Sequence, residues 1–108
     1  MNSEKKRRTD LEIEYLLLRL LSQAKNLSLR EICESLDLHP KTARKHLKQF
    51  EARSMAKEKP MGESFFYTLK TSNEEDRRRN FEFLIQTIGR ERAMELDLLY
   101  GLKSIVQA

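Results

Sequence analysis

Four cationic side chains, Lys41, Arg44, Lys45 and Lys48, recur at i, i+3, i+4 and i+7 within the stretch LDLHPKTARKHLKQFEARSMAKEK, residues 36 to 59. At about 100° per residue this spacing lays one narrow cationic stripe along a helix. Ala43, Leu47 and Phe50 keep helical spacing on nearly the opposite side, so the same helix offers charge outward and apolar surface inward. Pro40 stands at the first helical position, which tolerates it because that N–H has no intrahelical partner. A row of ammonium and guanidinium groups on a rigid rod is chemistry for holding a polyanion, not for making or breaking bonds. The pattern predicts a nucleic-acid recognition helix over about residues 40–53.

The distribution of charge points the same way. The chain has 108 residues and a formal net charge of +4. Residues 39 to 59 hold seven Lys/Arg and two Glu, a local +5, whereas the other residues hold 14 basic and 15 acidic side chains, −1. The whole excess therefore lies in the expected recognition helix and the segment just after it, a basic footprint suited to a nucleic acid. Charged residues make up 35% of the chain, yet apolar residues recur at regular spacing nearly throughout, so one folded domain with a modest core is expected.

Other chemistries lack their residues. There is no Gly-rich phosphate loop, no nucleophile beside a base and no acidic cluster with metal-ligand spacing, so no enzyme and no cofactor are expected. The two histidines, His39 and His46, are seven residues apart, too far for an i, i+4 chelating pair. His46, beside the basic stripe, reads as a surface or DNA-facing residue. The single cysteine, Cys33, excludes an internal disulfide; it reads as a small packing residue, with a redox-sensing thiol as the alternative. No apolar run approaches the ~18 residues of a membrane span, and the charged N-terminus is unlike a secretory signal. A cytoplasmic, nucleoid-associated protein is expected.

Caps and periodicity define the elements that must hold the stripe. Residues 1–8 read as a basic, solvated tail, or as an arm touching DNA. Thr9 and Glu12 form a capping box, and helix 1 is expected from about Asp10 to Lys25. It carries two apolar faces: Ile13, Leu16, Leu17, Leu20, Leu21 and Ala24 on one, and Leu11, Tyr15 and Leu18 roughly opposite. An outer helix needs only one such face. The second requires a cover, expected to be the C-terminal helix of this chain or of a partner. Ser28 and Glu31 make a second capping box, opening a helix over about Leu29 to Leu36. Asp37, Leu38 and His39 make the turn into the recognition helix. A strand at Met55 to Lys59, a turn at Pro60-Met61-Gly62-Glu63 and a strand at Ser64 to Lys70 make a hairpin with Lys57 and Lys59 near its tip.

Helix, helix, turn, helix and hairpin in this order spell a winged helix-turn-helix. The sequence also resembles the ArsR- and MarR-type transcription regulators. The resemblance lies in Ser28-Leu29-Arg30-Glu31-Ile32, in the turn Leu36-Asp37-Leu38, in Thr42 to Lys48, and in Phe66-Tyr67-Thr68-Leu69, and it covers about Leu27 to Leu69. It departs from the common pattern in having Asp37 and Ser54 where Gly is usual, and His39 where a Ser or Thr cap is usual. The resemblance implies DNA binding in the regulation of transcription. Metal sensing among ArsR-like regulators relies on cysteines in or near helix 2. The corresponding positions here are Ser28, Leu29 and Arg30, so no metal site carries over.

Residues 71–108 open with further capping boxes, Thr71 with Glu74 or Ser72 with Glu75. A long helix reaching about Val106 is expected, kinked or split near Gly89, with Arg77-Arg78-Arg79 as a solvated face or, alternatively, a second phosphate contact. Its apolar residues need a cover outside the small winged core, which predicts pairing with its copy and with helix 1 in a two-fold dimer; a helix packed only on its own domain is the alternative. The residues expected at that interface are Leu11, Tyr15, Leu18, Phe81, Leu84, Ile85, Ile88, Leu99 and Leu102. The fold class is thus mainly α with a small β-hairpin: a basic tail (1–8), a winged helix-turn-helix domain (9–70) and a C-terminal dimerisation segment (71–108).

The expected function is sequence-specific binding of double-stranded DNA by a homodimer that regulates transcription. Lys41, Thr42, Arg44 and Lys45 are the candidates for base edges, Arg44 first because guanidinium binds guanine in a bidentate way. Lys48, Lys57, Lys59 and Arg30 are candidates for phosphates, and Ser28, as a helix cap, places backbone N–H groups toward another. The wing, 57–65, is expected on the DNA backbone. The alternative is a winged-helix adaptor or a DNA-organising protein without sequence choice. An adaptor has little use for a +5 concentrated on one helix and its wing. Nothing in the sequence marks a small-molecule effector site.

Overall fold

The computed structural model describes residues 8–24, 26–70 and 74–102. Its elements in chain order are α1 (Asp10–Gln23), β1 (Leu27–Ser28), α2 (Leu29–Leu36), α3 (Pro40–Ala52), β2 (Ala56–Met61), β3 (Ser64–Leu69), α4 (Glu74–Ile88) and α5 (Arg90–Leu99). Both expected capping boxes within this range form. The Thr9 hydroxyl accepts from the Glu12 N–H at 3.1 Å while the Glu12 carboxylate accepts from the Thr9 N–H at 3.0 Å. Ser28 and Glu31 repeat the pair at 3.1 and 3.0 Å. Each satisfies two orphan donors of a first helical turn.

Helix α1 is the central post, packed against α2, α3, α4, α5 and β3. Ile13, Tyr15, Leu16, Leu17, Leu18 and Leu21 are all buried, so both apolar faces of α1 are covered within one chain. Burying both faces removes several hundred Å² of apolar surface from water, at roughly 25 cal/mol per Å². Ile32, Leu36, Leu38, Ala43, Leu47, Phe50 and Tyr67 complete the winged core, and Leu84, Ala93 and Leu96 belong to the C-terminal cover.

The αL conformation explains two departures from the family pattern. Asp37 ends α2 at φ 53°, ψ 53°, and Ser54 follows α3 at φ 59°. These are the positions where Gly is usual, and a short polar side chain is the tolerated substitute. Arg8, the last residue of the expected tail, donates to the Leu36 and Asp37 carbonyls and lies 5.3 Å over the Tyr100 ring. It thereby serves the orphan carbonyls at the end of α2 rather than solvent. The other tail residues, and the expected caps at 71–73, lie outside the described residues.

The sheet differs from expectation in two ways. It has three strands in the order β1-β3-β2, both pairs antiparallel, with Leu27 opposite Tyr67 and Ser28 opposite Phe66. A two-residue strand merging into a helix cap gives no alternation to detect. The β2 strand also runs on through Pro60 and Met61, which pair with Phe65 and Ser64, so the turn is Gly62-Glu63 alone. Pro60 is tolerated because β2 is the sheet edge, where a missing N–H breaks no interior ladder. Gly62 at φ 64° supplies the positive φ of this tight turn. Lys57 and Lys59 consequently stand back from the tip. Beyond the hairpin the chain is split, as one of the alternatives for Gly89 foresaw: this residue, at φ 95°, separates α4 from α5.

Candidate nucleic-acid interface

The two faces of α3 are two interlocked sets at the same spacing. Ala43, His46, Leu47 and Phe50 are buried, and Lys41, Arg44, Lys45 and Lys48, offset by two residues, are exposed. His46 is therefore not a surface residue: it is 2% exposed, with Nε2 3.5 Å from Asp10 Oδ1. Position outweighs residue type here, since 46 falls on the same turn-spaced row as 43, 47 and 50. His39 is the N-cap of α3, its Nδ1 accepting from the Lys41 N–H at 3.1 Å. It does what Ser or Thr does elsewhere.

The stripe abuts the wing. The register pairs Ala56 with Leu69, Glu58 with Tyr67 and Pro60 with Phe65 on one face of the hairpin, and Lys57 with Thr68 and Lys59 with Phe66 on the other. The first face meets α3. The Arg44 guanidinium lies 4.3 Å from the Phe65 ring centroid and its Nε is 3.8 Å from Glu58 Oε2. Lys48 Nζ donates to Glu58 Oε1 at 2.8 Å and is 3.5 Å from Glu51 Oε1. Glu58 also accepts from the Tyr67 hydroxyl at 2.5 Å, and its own N–H donates to Glu51 at 3.2 Å. Burial pushes the Glu58 carboxyl up, but the hydrogen bonds from Lys48 and Tyr67 and the charges of Lys48 and Arg44 outweigh it, leaving it below the usual carboxylate range. Its hydrogen bond holds the Lys48 ammonium above its usual value, and burial with the Glu58 bond raises the Tyr67 phenol.

The remaining expected contacts divide between free and engaged side chains. Lys41 and Lys45 are exposed on α3, Thr42 is half-buried, and Lys57 and Lys59 are exposed on the outer face of the wing. Arg30 is exposed and pairs with Glu34 at 3.1 Å, one turn along α2. The Ser28 hydroxyl is engaged as a cap. Arg53, also within the basic stretch, is tied to Glu14 of α1 at 2.5 Å. Glu51 and Glu58, the two acids of that stretch, do not simply dilute its charge: they fix Arg44 and Lys48. Neither stands out in the sequence. The available signal is the alternation of the strand, which puts 58 on the same face as Tyr67. Cys33 is half-buried in a cleft between α2 and the wing, and burial, then the Glu34 charge, raises its thiol above the ordinary value. A raised thiol pKa disfavours the reactive thiolate. Among the described residues no group of three or more His, Cys, Asp or Glu could hold a metal ion, and no helix is long and apolar enough to cross a membrane.

The C-terminal helices are fastened to α1 by charge as well as by apolar contact. Asp97 on α5 is 1% exposed and accepts from the Tyr15 hydroxyl at 3.0 Å and from Arg19 Nε at 3.4 Å. Arg92 Nε donates to Glu12 at 2.7 Å. Burial, then the Asp97 charge and hydrogen bond, push the Tyr15 phenol up to about 12. Tyr15, Leu18 and Leu84 were expected to face a second chain; they are covered within their own, at 0%, 1% and 5% exposure. The reason is that α4, which carries Leu84, packs on α1, and that α5, beyond the break at Gly89, folds back onto α1 as well. Leu11, Phe81, Ile85, Ile88, Leu99 and Leu102 are half-buried, while Phe83 and Leu98 are exposed at 63% and 83%.

No protein-family model matches the sequence, and neither does any curated protein. Solved structures do match. Mutant MarR from E. coli aligns with a TM-score of 0.56 at 11% identity, over 80% of this chain and 71% of that one. BpsR of Bordetella bronchiseptica, whose DNA binding is regulated by 6-hydroxynicotinic acid, aligns at 0.59 and 16% identity over 94% and 72%. AntR, an antimony-specific transcriptional repressor, aligns at 0.54 and 16% over 81% and 72%. The chain has the MarR-type winged helix-turn-helix fold.

Proposed function

We propose that the protein is a sequence-specific double-stranded-DNA-binding regulator of transcription, not an enzyme, and that it acts as a homodimer. The observation that carries this reading is the continuity of the cationic α3 face with the wing, through Arg44 on Phe65 and Glu58. The fold shared with MarR-type regulators supports it. In this reading the N-terminal part of α3 enters the major groove. Arg44 reads guanine, and Lys41, Thr42 and Lys45 meet neighbouring base edges. Lys48, Lys57, Lys59 and Arg30 bind phosphates, with the N-terminus of α2 behind Ser28, which fixes register and makes affinity salt-dependent. Exposed Phe83 and Leu98, with the half-buried apolar residues beside them, belong to the face a second copy covers.

A two-fold dimer sets two copies of α3 about one helical turn (~34 Å) apart and so selects an inverted repeat. The test is selection from a random duplex pool at two salt concentrations, with wild type and Arg44→Ala side by side. The expected result is an inverted-repeat motif that Arg44→Ala loses. Tight binding without a motif, with both proteins losing affinity alike as salt rises, contradicts sequence-specific recognition. Sedimentation of wild type and Leu98→Glu tests the dimer: wild type is expected at twice the chain mass and the variant at one.

A further inference from the structure

We infer that Glu58 is a positioning residue for DNA recognition: anchored by Tyr67, it aims Arg44 and Lys48 so that binding depends on base sequence rather than on charge alone. This rests on the reading of α3 as the recognition helix. A protein that bound DNA by charge only would gain from having no carboxylate at this place, because a negative charge beside Arg44 and Lys48 weakens their attraction for phosphate. Yet Glu58 is built in firmly. Its side chain is 9% exposed and meets Lys48 at 2.8 Å, Tyr67 at 2.5 Å and Arg44 at 3.8 Å. The strand register directs it, since Glu58 shares a face with Tyr67 and Phe65 while Lys57 and Lys59 point the other way.

The result is an arginine held on two sides. The Phe65 ring supports one face of the Arg44 guanidinium at 4.3 Å, and Glu58 faces its Nε edge. An arginine whose rotamer is set before DNA arrives loses less entropy when it binds, and it is penalised more when the base it meets is wrong. Lys48, held between Glu51 and Glu58, is likewise kept from wandering to whichever phosphate is nearest. The wing thus acts on base recognition through α3, without itself touching a base.

The experiment uses the full chain and two duplexes of equal length, one carrying the motif selected by wild type and one of random sequence. Binding of wild type, Glu58→Gln and Tyr67→Phe is followed by fluorescence anisotropy over a salt series, with melting temperatures recorded for each. Glu58→Gln is expected to bind the random duplex more tightly, with a log K against log salt slope steeper by about 1. Its preference for the selected duplex is expected to fall about tenfold. Tyr67→Phe keeps the buried ring and removes only the anchoring hydroxyl, so it is expected to shift the preference in the same direction by a smaller factor. It carries the test should Glu58→Gln not fold. An unchanged preference and salt slope in both variants overturn the inference, as does an equal loss of affinity for both duplexes, the mark of a merely structural residue. Wild type that does not prefer the selected duplex overturns the underlying DNA-recognition reading, and the inference with it.

Discussion

Two clusters in this molecule use the same three chemical groups for different ends. On the C-terminal side, Asp97 receives a tyrosine hydroxyl, Tyr15, and an arginine, Arg19. At the wing, Glu58 receives a tyrosine hydroxyl, Tyr67, and faces an arginine, Arg44. The first arginine is 3% exposed and its carboxylate 2%; the second arginine is 44% exposed. The first cluster joins residues about eighty positions apart and is sealed, so it fastens α5 to α1 and can exchange with no outside group. The second joins neighbours in the winged domain and stays open on the arginine side, so a phosphate or a base can share it. Burial, not residue type, separates the sealed clamp from the cluster that stays open to solvent.

The contrast is broken most severely at the sealed cluster. Asp97→Asn leaves the Arg19 charge buried without its counter-charge, and the expected loss is about 3–5 kcal/mol in urea denaturation. The matching change at the open cluster, Glu58→Gln, is expected to cost no more than about 1 kcal/mol in the same assay, because its cationic partners Arg44 and Lys48 are 44% and 48% exposed and an amide can still accept from the Tyr67 hydroxyl. A similar loss at both sites would erase the distinction. Tyr15→Phe sharpens it by removing one buried hydrogen bond, at about 1 kcal/mol.

Acid tests the same comparison through the carboxylates. Glu12 and Glu58 both lie below their ordinary value of 4.5; burial opposes this in each, and hydrogen bonds from Arg92 and Thr9, or from Lys48 and Tyr67, prevail. A group with a lowered folded pKa contributes stability above its unfolded pKa and loses it as pH falls through the folded one. The melting temperature is therefore expected to drop between about pH 5 and 3, less steeply in Glu12→Gln and Glu58→Gln. The smallest expected effect is a gain. Ser54→Gly relieves a left-handed residue at φ 59° and should add at most about 1 kcal/mol without changing DNA binding.

Much of the frame was legible in the sequence, because caps and helical spacing are local. Ser28 with Glu31 and Pro40 behind His39 fixed the starts of α2 and α3, and the stripe at 41, 44, 45 and 48 lies on an exposed face as its spacing required. What was not legible depends on contacts made across the fold. Arg19 and Asp97 carry no local signal in the sequence, because their pairing exists only once α5 folds back on α1. His46 read as exposed because its type drew attention from its row. Glu51 and Glu58 counted only as subtractions from net charge, since nothing local says that a wing carboxylate reaches α3. Strand β1, two residues long, has no period of its own and exists only because β3 runs beside it.

The measurement that tests DNA recognition by α3 most directly is the salt dependence of duplex binding by wild type and a Lys41→Ala, Lys45→Ala double variant. Both lysines are exposed on α3 and make no ion pair among the described residues. If the stripe holds DNA, the double variant melts as wild type does and binds far more weakly, with a log K against log salt slope shallower by up to about 2. An unchanged affinity and slope would contradict this and leave the α3 stripe as solvated surface.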